Sequence, residues 1–136
     1  MVKNYTKKTY YDLFNKKIKQ VPIYESEISA IKNQNGVELQ KLLFVILVWS
    51  KFSIYKNVLC SDRLIAQIAG VKRWTSTIWS ILQPVLCEDN DTEGYLLQIA
   101  NKGKNNYVYR VLFKEKDGDK IPLFYVTDIN ECRELF

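Results

Sequence analysis

The chain has 136 residues, 47% of them hydrophobic and 26% charged, with a formal net charge of +5 and no histidine. That length suits one domain with a real core, and the missing imidazole removes the commonest general base and the commonest metal ligand. The longest unbroken apolar run, Leu42 to Trp49, falls far short of the roughly 18 to 20 residues that cross a bilayer.

The N-terminus has no apolar signal core, so a cytoplasmic protein without a membrane partner is expected. Cys60, Cys87 and Cys132 are odd in number and widely spaced, which reads as reduced thiols and gives no zinc-site spacing. No phosphate loop, dinucleotide glycine pattern or nucleophile elbow is present. Carboxylate pairs such as Glu25/Glu27 and Glu131/Glu134 read as exposed faces near helix ends. The expectation is therefore a non-enzyme, with no catalytic residue, metal or cofactor.

Charge is unevenly spread. Residues 1 to 24 form a basic arm or edge strand rich in Lys and Tyr, with Lys3, Lys7, Lys8, Lys16, Lys17 and Lys19 against the single acid Asp12 in its first twenty residues. Pro22 confines any strand there to a sheet edge. Glu25 to Ile31 is a short helical candidate pointing Ile28 and Ile31 inward. Val37 to about Tyr55 is the longest helix, and Phe44, Leu47 and Val48 make its middle apolar on every side, as expected of the buried centre of the domain. Val58 and Leu59 suit a short strand.

Ser61 to Leu86 reads as two helices about a tight turn. Ser61 is a suitable N-cap, and Leu64, Ile65, Ile68 and Ala69 recur at helical spacing. Gly70 can take the left-handed conformation that ends a helix. Trp74, Ile78, Ile81, Leu82 and Val85 then share a face, and Pro84 ends or bends the second helix. Glu88 to Gly94 is an acidic turn region without the spacing of a calcium loop. Tyr95 to Ala100 and Tyr107 to Phe113 are strand candidates joined by a Gly- and Asn-rich link, which suits a hairpin. Ile121 to Asp128 is a third strand candidate, expected to pair with that hairpin. Thr127 or Asp128 suits the cap of a last short helix.

Ala66, Gly70 and Val71 at the corner resemble the helix-turn-helix of DNA-binding proteins. A helix, this motif and then a hairpin resembles a winged helix. The fold class implied is α+β: a winged-helix core over 25–113, between the N-terminal arm and a C-terminal strand and helix extension over 114–136. One position departs from the pattern: six residues after Gly70, where the family has an aliphatic side chain, stands Ser76.

The resemblance implies double-stranded DNA as partner. The second helix would enter a major groove, with Lys72 and Arg73 at its start and Thr75, Ser76, Ser80 and Gln83 as shorter hydrogen-bonding groups. Lys102, Lys104, Asn105 and Asn106 at the wing tip would follow the backbone or enter the minor groove. A Lys- and Asn-rich single domain suits a plasmid, phage or conjugative-element protein acting in replication, transfer or transcription, and a second copy of the chain is a candidate partner in a homodimer. Two rival readings stay open. One is a winged-helix protein–protein or dimerisation module; the other is single-strand binding, which requires Tyr107 or Tyr109 to face solvent.

Overall fold

A computed structural model describes residues 20–53, 57–60, 62–72, 80–87, 97–102, 107–112 and 121–136. Helix α1 spans Glu25–Lys32 and α2 spans Val37–Phe52. The apolar stretch of α2 is buried without a break from Leu42 to Val48, so this helix has no solvent face at its middle and must be covered all round. Two sheets and the remaining helices supply that cover.

The larger sheet is built from β2 (Asn57–Cys60), β3 (Leu86–Cys87), β4 (Leu97–Lys102) and β5 (Tyr107–Val111), in the order β2-β5-β4-β3. Strands β2 and β4 both run antiparallel to β5, with Val58 and Ile99 opposite Tyr109. The register of β4 on β5 slips at Ala100, leaving that residue as the extra one of a bulge. The short β3 pairs parallel to β4, Leu86 opposite Leu97. The hairpin expected from the Gly- and Asn-rich link is therefore present in its strands, although residues 103–106 at its tip lie outside the described residues. Tyr109 is fully buried in the central strand, while its neighbour Arg110 is exposed.

Residues 121–128 do not join this sheet as expected. The strand within them, β6 (Phe124–Val126), pairs antiparallel with β1 (Val21–Ile23) in a separate two-stranded sheet, Ile23 opposite Phe124. The physical reason is the all-round apolarity of α2. Val21 and Ile23 from β1 and Phe124 and Val126 from β6 are all buried, and α2 contacts β1 as well as β2 and β5. The core thus draws on chain from both flanks of residues 25–113. Pro22, lacking an N–H, sits in the middle of β1, in a ribbon where each strand is an edge.

Glu27 also departs from expectation. Instead of lying on an exposed face it is 3% exposed. One oxygen, Oε1, accepts from the Tyr24 backbone N–H at 2.9 Å, tying down the start of α1, and the same atom pairs with Lys51 Nζ of α2 at 2.6 Å. Lys51 donates as well to the Pro22 carbonyl at 2.6 Å and lies over the Tyr24 ring. At the other end of the chain, Asp128 caps a 3-10 turn (Ile129–Glu131) by accepting from Asn130 N–H at 2.9 Å, and a short C-terminal helix, Cys132–Leu135, follows. Cys132 is a buried free thiol, and desolvation pushes its pKa up to about 12.

Candidate functional site

Helix α3 (Asp62–Ala69) carries a strongly one-sided apolar pattern, with Ile65, Ala66 and Ala69 buried. Its end is a Schellman motif. Gly70 N–H donates to the Gln67 carbonyl at 3.2 Å and Val71 N–H to the Ala66 carbonyl at 2.9 Å, satisfying carbonyls that the helix leaves without partners. Closing both bonds requires the left-handed conformation that Gly70 adopts at φ +76°. Val71 turns back into the core beside Ala66, so the residues read as a corner in the sequence form one.

The C-terminal helix lies across this corner. Arg133 donates through Nη2 to the Gln67 carbonyl, and its stem covers Gly70 so closely that a Cβ there would sit 3.0 Å from Arg133 Nε. Gly70→Ala is therefore expected to destabilise the protein by about 1–2 kcal/mol, since an L-residue at this φ is strained and the new methyl pushes on Arg133. Urea denaturation measures it; a change within 0.3 kcal/mol, on the order of ordinary surface substitutions, would mean the corner relaxes freely.

Around the corner opens a cleft of about 480 Å³ lined by Lys41 of α2, Arg63 of α3, Lys72 just beyond Val71, and Arg133. The other described residues that line it are Ala66, Gln67, Ala69, Gly70 and Val71, and none of the described lining residues is a carboxylate. Arg63, Lys72 and Arg133 are exposed and Lys41 is half-buried. The site is positively charged, open, and walled by small residues.

Searches for a matching family model, curated protein or solved structure find none. The function therefore has to be read from the site itself.

Of the residues singled out in the sequence, Lys72 lines the cleft. Ser80 is exposed in the helical residues 80–82, and Gln83 is exposed at the start of a 3-10 turn, Gln83–Val85, into which Pro84 tightens the chain. Lys102 ends β4, opposite Tyr107. Arg73, Thr75, Ser76, Lys104, Asn105 and Asn106 lie outside the described residues, as do Trp74, Trp79 and the acidic stretch from Glu88 to Gly94. The burial of Tyr109 removes one of the two tyrosines that single-strand binding would use. Among the described residues no cluster of three or more metal-ligating side chains occurs, and no described helix is long and apolar enough to cross a membrane.

Three cations of the cleft went unnoticed in the sequence. Lys41 and Arg63 carry a weak signal, as charged residues at positions outside the apolar pattern of their helices. Arg133 carries none, because only the docking of the C-terminal helix brings it to α3.

Proposed function

We propose that this protein binds double-stranded DNA without catalysis, as a winged helix whose motif is α3, the Gly70 corner and the helix running through residues 80–82. The observation that carries the reading is topological. After the central helix α2, strand β2 precedes α3 and pairs with β5, and β5 pairs with β4 to form the hairpin that follows the motif. That order supports a wing beside a helix-turn-helix. The charge agrees: Lys72 follows the Gly70 corner and lines a basic cleft, and β4 ends on Lys102, two residues before Lys104 in the sequence. A role in the replication, transfer or transcription of a mobile element fits the small, Lys- and Asn-rich chain.

The test is fluorescence anisotropy with duplexes drawn from DNA flanking the gene and with scrambled controls, across a salt series. Binding should weaken steeply with salt, because each neutralised phosphate releases counterions. Lys102→Ala combined with Lys104→Ala should lower the slope of log affinity against log salt by about 2. An unchanged slope removes the wing from the interface. No duplex binding at low salt removes the DNA reading altogether and leaves a protein–protein module, whose self-association sedimentation at several concentrations would detect.

A further inference from the structure

We infer that the cleft at the Gly70 corner is a phosphate-binding site. Among the described residues, four cations reach it from separate parts of the chain: Lys41 from α2, Arg63 from α3, Lys72 from the corner and Arg133 from the C-terminal helix. Gathering like charges costs free energy unless an anion is present to offset their repulsion, and none of the described residues lining this cleft is a carboxylate. The contrast with Lys51 is instructive, because there the same fold places a glutamate against its half-buried lysine.

The geometry suits an oxyanion in two further ways. Arg133 is held in place before any ligand arrives, by its bond to the Gln67 carbonyl and by its stem lying over Gly70. That bond uses one donor of a guanidinium that has five, set in a planar fork that matches phosphate oxygens. The same contact places a positive charge at the C-terminal end of α3, whose carbonyls would otherwise repel an anion. The small side chains of Ala66, Ala69 and Gly70 keep the walls low.

A phosphate could come from two sources: the backbone of a duplex docked along the second helix, or a free phosphorylated ligand. The site itself does not depend on the DNA reading. The decisive variant is Lys41→Gln with Arg63→Gln, which removes two charges and leaves the Arg133 contact untouched. Two probes are used, sodium pyrophosphate followed through the backbone amide resonances of Gly70, Val71 and Lys72, and duplex DNA followed by anisotropy over a salt series.

In the wild type, pyrophosphate should shift those amides saturably, beyond the effect of sodium chloride at equal ionic strength. The double variant should weaken this at least tenfold with its thermal unfolding midpoint unchanged. If the variant also lowers the salt slope for DNA by about 2, the phosphate is that of the duplex. If DNA binding is unaffected while the pyrophosphate response is lost, the ligand is a free phosphorylated molecule. A saturable pyrophosphate response in a protein that binds no duplex upholds the cleft and sinks the DNA reading. No response to pyrophosphate beyond that to chloride, with an unchanged DNA slope, overturns the site.

Discussion

Lys51→Ala is expected to lower the free energy of unfolding by about 3 kcal/mol, the low end of the range for breaking a buried ion pair. The effect comes from what the substitution leaves behind. Glu27 has a side chain only 4% exposed, and without the lysine its charge has no cation at 2.6 Å to offset desolvation. Lys51 keeps 15% exposure, which admits some water and places the loss at the low end. The Pro22 carbonyl loses a donor at the same time, so the damage reaches β1 as well as the join between α1 and α2.

The companion double variant, Glu27→Leu with Lys51→Met, should recover most of the deficit, since an apolar pair of similar volume needs no charge balance. What remains is the Tyr24 N–H, which loses the acceptor that started α1. Urea denaturation followed by circular dichroism reads both variants. A Lys51→Ala loss below about 1 kcal/mol, the usual worth of a surface ion pair, would show that the pair is effectively solvated.

Phe44→Ala should be costlier still, by about 3–5 kcal/mol. Its ring is fully buried, stacks on Phe136 with centroids 5.0 Å apart and meets Phe124 of β6 at 6.2 Å. Removing it opens a cavity where α2, the two-stranded sheet and the C-terminal helix meet. Against an ordinary domain stability of about 5–15 kcal/mol, this is enough to populate unfolded chain at mild temperature. Phe44→Leu retains much of the volume and should lose about half as much. Equal losses in the two variants would mean that the aromatic contacts themselves, rather than the cavity, account for the effect.

Local signals in the sequence read well. The all-round apolar run predicts the central helix, Gly70 predicts the left-handed corner, and the alternation around Tyr109 predicts a strand, leaving the face that Tyr109 takes to the fold. Pro84 marks where the second helix tightens. The failures share one cause: they depend on which distant segments meet. The strand around Phe124 has the same alternation whether it joins the hairpin or β1, and only the uncovered side of α2 decides between them. Glu27 looks like a helix-end carboxylate until Lys51, on another helix, comes to it. The candidate site divides the same way, with Lys72 legible from its place after the corner and Arg133 invisible before the C-terminal helix docks.

The pairing of β1 with β6 also bears on how the chain is born. Val21 and Ile23 leave the ribosome early, yet their partners Val126 and Phe124 follow only after the larger sheet and helices α1, α2 and α3 have been synthesised. Domains made vectorially acquire structure in the order their contacts emerge, and loop closure over so long a separation must await both ends. Until that late strand is made, Phe44 of α2 lacks Phe124, the ring that meets it from β6, and β1 lacks its partner.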